Sequence, residues 1–259
     1  MKRTLFVLLT MMTLIFTSCS GSLNPTVLAE TTQENVEQSK EENNDVFKEI
    51  QRNIDLVASL RTKVEEAQIN NKELPLKETL KDLKTITLSY ERLASEKDTI
   101  HQSFVDKMNN LKDIQKKVNS EISTLNERRN NYALQLQSIA TSNSETSQTR
   151  KKALTKAIEY VDTQKQLWAK FNNLELQISV EMINTQKRIE NFLAVIDSSA
   201  ILFREGLNLL QLQQDINEAL SLFTVDVPIM DALAKDMESS WNNLDFLVES
   251  LTSLTVNLN

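Results

Sequence analysis

One apolar stripe limits what this chain can fold into. From Leu76 it passes through Leu80, Leu83, Ile86, Tyr90, Leu93, Ile100, Phe104, Met108, Leu111, Ile114, Val118, Ile122, Leu125, Tyr132 and Leu136 to Ile139, nine heptads with a mean step close to 3.5 residues. That step is the coiled-coil repeat, so the segment is expected to run as one long helix against a partner helix. Lys97 and Arg129 interrupt the seam and are expected to fix its register. The chain has two glycines and three prolines in 259 residues. A β-sheet protein needs many more turn residues, so an all-α fold with few, long helices follows.

The same period places the other helices. The first is expected near 45–70, with Ile50, Ile54, Val57, Leu60 and Val64 on its stripe, and "NNKELP" breaks it, Pro75 suiting the first turn of the next helix. "TSNSETS" (141–147) reads as a tight polar turn with Ser144, Thr146 or Ser147 as the cap. A third helix is expected over about 148–223 and a fourth from Pro228. Helices two and three, nearly equal in length, should form an antiparallel hairpin. The short first and fourth helices must fold back at the same end. The expected architecture is therefore a long antiparallel helical hairpin, a coiled coil, with a four-helix bundle at one end and two bare helices at the other.

This arrangement accounts for "NFLAVIDSSAILF" (191–203), the most apolar stretch after the N-terminal leader. A helix touched on several sides needs a wider apolar arc than one in a pairwise coil, so the stretch belongs to the bundle core. Gly206 fits there too, where a missing side chain lets a neighbouring helix approach. Two other readings stand beside this one. A membrane element is opposed by Asp197, Ser198 and Ser199 and by a length too short for about 30 Å of hydrocarbon. A ligand slot around Asp197 competes with a plain solvent-facing Asp.

"MKRTLFVLLTMMTLIFTSCSGS" has a basic start, a short apolar run and small residues, the pattern of an export signal. "FTSC" resembles a bacterial lipobox, which implies a signal peptide over 1–18 and a diacylglyceryl group on Cys19, the only cysteine. "VLA" before Glu30 offers a rival cleavage site that would release a secreted protein. Residues 19–44 are polar and acidic and read as a flexible tether, ahead of an elongated helical domain over 45–259. Removing the leader takes away two cations and moves the formal charge from −7 to −9. Such an acidic chain is not expected to bind nucleic acid, whose phosphates need neutralising.

Chemistry is sparse. His101 is the only histidine and reads as a solvated residue beside the seam; no metal-ligand pair, cysteine site or glycine-rich phosphate loop can be assembled. No cofactor and no enzymatic activity are expected. One charge feature stands out. Arg128, Arg129, Arg150, Lys151, Lys152 and Lys156 surround the polar turn against the single acid Glu145, a net +5 over residues 128–156. Three cations at a helix start oppose its macrodipole unless something offsets them. The turn is the candidate partner-binding site, for an anionic wall polymer, lipid headgroups or an acidic protein. The bland alternative is a solvated turn whose charges keep the hairpin soluble.

The lipobox-like leader, the acidic tether and the breaker-poor helices together resemble helical lipoproteins of Gram-positive bacteria described as cell-wall-binding. That resemblance implies a non-enzymatic structural or adaptor protein, lipid-anchored on the extracytoplasmic face of the cell membrane and presenting its basic turn to the envelope. The alternatives are a membrane-remodelling or membrane-lytic helical protein and a secreted ligand carrier. Self-association is open to any exposed coiled coil.

Overall fold

The computed structural model describes residues 23–70, 76–142, 144–211 and 216–258; the leader and Cys19 lie outside them. Among these residues the chain is all-helical: α1 (Pro25–Ile69), α2 (Leu76–Ser95), α3 (Lys97–Ser138), α4 (Glu145–Gln211), α5 (Ile216–Thr224) and α6 (Val227–Leu258). It is a helical bundle with a helical hairpin. The backbone clusters into two units, a larger one of Thr32–Leu111 with Leu176–Glu249, and a smaller one of Lys112–Glu175 with the segments up to Thr31 and from Ser250.

The segment expected as a flexible tether is helical over most of its length. Helix α1 starts at Pro25, not near residue 45. Asn24 caps it, its Oδ1 accepting from the Thr26 amide at 3.0 Å and the Val27 amide at 3.4 Å. Pro25 takes the first helical position, where a missing N–H is harmless. Ala29, Thr32, Val36, Ser39 and Asn43 are buried at three- and four-residue steps. This seam obeys the heptad, but most of its members are small or polar.

In the larger unit the core is built around α4. Phe192 stacks on Phe47 of α1 with centroids 5.9 Å apart, and Phe203 lies 4.9 Å from Tyr90 of α2 and 4.7 Å from Phe223 of α5. Phe104 of α3 faces Trp241 of α6 at 6.4 Å. Phe192, Leu193, Ile196, Ala200 and Phe203 are all buried, so the apolar stretch 191–203 is bundle core, as its wide arc requires. The Tyr90 hydroxyl lies 3.2 Å from Met230 Sδ. Burial, with the nearby Asp226 carboxylate, pushes its phenol far above the ordinary range.

Gly206 marks a close approach of two helices. A Cβ there would lie 2.6 Å from Phe223 Cε2 and 3.0 Å from the Ala219 carbonyl oxygen. In one continuous helix, positions 206 and 219 would be about 20 Å apart. The third helix therefore does not run on to residue 223; α4 ends at Gln211 and α5 folds back on it. The absent side chain at Gly206 permits that return.

The long second helix is also divided. At Glu96 the backbone tightens, its amide bonding to the Leu93 carbonyl at 3.1 Å, and α3 begins at Lys97. The Ser95 hydroxyl donates to the Arg92 carbonyl at 2.6 Å, a side-chain competitor of the kind that bends helices.

Polar pins join the helices of the larger unit. Lys107, almost buried, donates to Glu42 at 2.7 Å, and Ser103 bonds the same carboxylate. Burial works to raise the Glu42 pKa, but the Lys107 and Ser103 hydrogen bonds and the Lys107 charge outweigh it and hold the carboxyl below its ordinary 4.5. A depressed carboxylate stabilises the fold above its unfolded pKa and loses that contribution as pH falls through the folded value. Thermal melts between about pH 5 and 3 should therefore fall more steeply for the native chain than for Glu42→Gln. Parallel slopes would show that the pin contributes nothing.

In the smaller unit α3 and α4 pair through a thin seam. Val118 and Leu125 on α3 are buried seven residues apart, and Leu154, Val161 and Trp168 on α4 are buried at the same interval. The next position, Glu175, buries its side chain completely, whereas its apolar neighbour Leu174 is half-buried. The hairpin is not bare throughout. Leu28, Ala29, Leu251, Thr255 and Leu258 are buried in this unit as well.

Candidate interaction site

The polar turn connects α3 to α4, and Ser144 is the residue that caps the second helix. Its Oγ accepts from the Ser147 amide at 3.2 Å, and the Gln148 amide bonds the Ser144 carbonyl at 3.0 Å. Glu145 then places the one acid of this region in the first turn, where it complements the positive end of the helix. The end of α3 unwinds through bonds from the Ile139, Ala140 and Ser142 amides to carbonyls three residues earlier.

All six predicted cations lie in the smaller unit around this turn, but they do different things. Lys151 reaches back to the end of α3, its Nζ donating to the Ala140 carbonyl at 2.6 Å and the Ser142 carbonyl at 3.0 Å. These carbonyls belong to the turn just past Ser138, close to the negative end of α3. The unfavourable charge at the start of α4 is thereby turned to account at the end of α3. Arg129 is also occupied, its Nε donating to Asp162 Oδ1 at 2.7 Å. Neither use is visible in the residues flanking the turn, because Asp162 falls outside 128–156 and a carbonyl acceptor leaves no sequence signal.

Four cations remain. Arg150, Lys152 and Lys156 are exposed and Arg128 is half-buried. None of the four takes part in an ion pair among the described residues. The turn thus carries exposed basic residues on a helix pair.

The other candidate residues lie in the larger unit. Asp197 is exposed on α4. The buried polar partner nearby is Ser199, whose hydroxyl lies 2.7 Å from Asp226 Oδ2. His101 is half exposed, with Nδ1 2.6 Å from Glu190 Oε1, and Gln186 donates to the same oxygen at 2.9 Å. Burial would raise the Glu190 pKa, but these hydrogen bonds and the charges of His101 and Lys97 bring it below the ordinary value. Among the described residues no group of His, Cys, Asp and Glu could hold a metal ion, and no helix is long and apolar enough to cross a membrane. A groove of the larger unit lies between α1 and α6, lined by Phe47, Ile50, Met237 and Trp241 among others. No protein-family model, curated protein or solved structure matches the chain.

Proposed function

We propose that this chain is a non-enzymatic, surface-anchored adaptor, held to the extracytoplasmic face of the cell membrane by a lipid on Cys19 and binding an anionic envelope component through the α3–α4 turn. One observation carries the binding half of this reading. After Lys151 and Arg129 are consumed by the fold, Arg150, Lys152 and Lys156 still stand exposed in the first turns of α4, Lys152 and Lys156 one turn apart on one face, in a chain of formal charge −7.

The anchoring half is supported at the other end of the chain. Cleavage before Glu30 would remove the Asn24 cap together with Leu28 and Ala29, both buried. Processing at Cys19 keeps all three. Insertion of the apolar stretch into a bilayer is disfavoured, because Phe192 and Phe203 are already fully used in the core.

The test is co-sedimentation of the purified chain with an insoluble anionic polymer and with phosphatidylglycerol vesicles, across a salt series. Binding should weaken steeply as salt rises, since exposed charges are screened within about 8 Å at physiological ionic strength. The triple change Arg150→Gln, Lys152→Gln and Lys156→Gln should weaken it about tenfold or more without altering the melting temperature. Lys151→Met should do the reverse, loosening the turn by about 1 kcal/mol and leaving most of the binding. Unchanged sedimentation of the triple variant overturns the reading.

A further inference from the structure

The two halves of α1 are packed by different means. From Val46 onward the buried residues include Val46, Ile50, Ile54, Val57 and Leu60, the branched aliphatics of a stable seam. In the larger unit, the preceding stretch from Thr32 to Asn43 buries Thr32, Asn35, Ser39 and Asn43 and only one aliphatic, Val36. The helices around it are not short of apolar surface: Phe104, Met108 and Leu111 on α3, and Trp241, Leu244 and Val248 on α6, are buried in the same unit.

What holds this stretch is polar. Lys40 pairs with Asp245 of α6 at 2.5 Å, both side chains more than two-fifths exposed. Glu42 receives Lys107 and Ser103 of α3, and Asn110 of α3 donates to Asn35 Oδ1 at 3.2 Å. Two other buried groups bond within α1 itself. Ser39 Oγ donates to the Asn35 carbonyl at 2.8 Å and Asn43 Nδ2 to the Ser39 carbonyl at 2.6 Å, while Asn43 Oδ1 is buried with no hydrogen-bond partner. Departure of the stretch would carry the internal bonds along and would hydrate the one orphaned oxygen. Aliphatic burial is the larger stabiliser of a seam, and exposed ion pairs contribute little.

We propose that Thr32–Asn43 is a releasable strap: the first half of α1 leaves the bundle as a local opening while Val46–Leu60 stays docked. Release uncovers apolar surface of α3 and α6; freeing the N-terminal segment as well requires Leu28 and Ala29, buried in the smaller unit, to undock. Nineteen residues from Pro25 to Asn43 measure about 28 Å as a helix and up to about 65 Å extended. The use of the strap as an extensible tether rests on the anchored reading above; the opening itself does not.

Hydrogen exchange of the full chain, read by mass spectrometry, tests the opening. Peptides covering 32–43 should exchange about a hundredfold faster than those covering 46–60, because sub-global openings expose weakly held segments first. Raising salt should widen the gap by screening the Lys40 and Glu42 pairs. The double change Ser39→Val and Asn43→Val, which completes the apolar seam, should slow exchange of 32–43 about tenfold and leave 46–60 unchanged. Equal protection of the two halves, or a double variant that exchanges like the native strap, overturns the proposal. The mass of the N-terminal peptide from the same preparation reports separately whether Cys19 carries a lipid. An unmodified Cys19 with a fast strap sinks the tether and keeps the opening.

Discussion

Phe203→Ala is expected to lower stability more than any other single truncation in the bundle. Phe203 is fully buried where α2 and α5 meet α4, and its ring lies within 5 Å of the rings of both Tyr90 and Phe223. Truncation removes both contacts and leaves a cavity that the backbone of α4 cannot close. Buried Phe→Ala changes cost about 3–5 kcal/mol. For a chain of this length that corresponds to a fall in melting temperature of roughly 10 °C. Phe246→Ala, at an exposed position on α6, is the control and should shift the melt by about 1 °C or less. Comparable shifts for the two variants would mean that residue 203 is not in the core.

Gly206→Ala carries the second large effect, and its sign is informative. In an unobstructed helix the change would stabilise by about 1 kcal/mol, because glycine is the poorer helix former. Here the added methyl would stand 2.6 Å from the Phe223 ring and 3.0 Å from the Ala219 carbonyl oxygen. The ring cannot swing aside, being buried against Phe203, and the carbonyl belongs to the backbone of α5. Overpacking of this kind costs about 1–3 kcal/mol, and Gly206→Val should lie at or beyond the upper end. A variant that melts higher than the native chain would show that α5 does not rest on α4. Because Phe203 and Gly206 share Phe223, the two substitutions should be non-additive in a double-mutant cycle.

The residues that made the fold readable are those that repeat. The Leu and Ile steps from Leu83 to Leu125 announce α2 and α3, and the width of the arc at Phe192–Phe203 announces a helix surrounded by others. Three features resisted for physical reasons. The first half of α1 follows the heptad with Ala, Thr, Ser and Asn, residue types that also dominate flexible segments, so composition points away from helix while the spacing supports it. The reversal between α4 and α5 has its glycine ahead of the α4 terminus at Gln211, at the point of contact and not at the turn. The burial of Glu175 one position beyond the apolar Leu174 reverses what side-chain polarity alone predicts.

The basic turn was readable as a charge cluster but not as a division of labour. Six cations count equally in a sequence. In the folded chain Lys151 closes the end of α3 and Arg129 grips Asp162, so the surface left for a partner is smaller than its formal charge. Asn24, near the start of the chain, has a consequence of a different kind. If Cys19 bears acyl chains, only Ser20, Gly21, Ser22 and Leu23 separate them from the cap of α1, a distance of at most about 18 Å. The first helical turn would then stay within about 18 Å of the lipid-bearing residue whatever the rest of the bundle does.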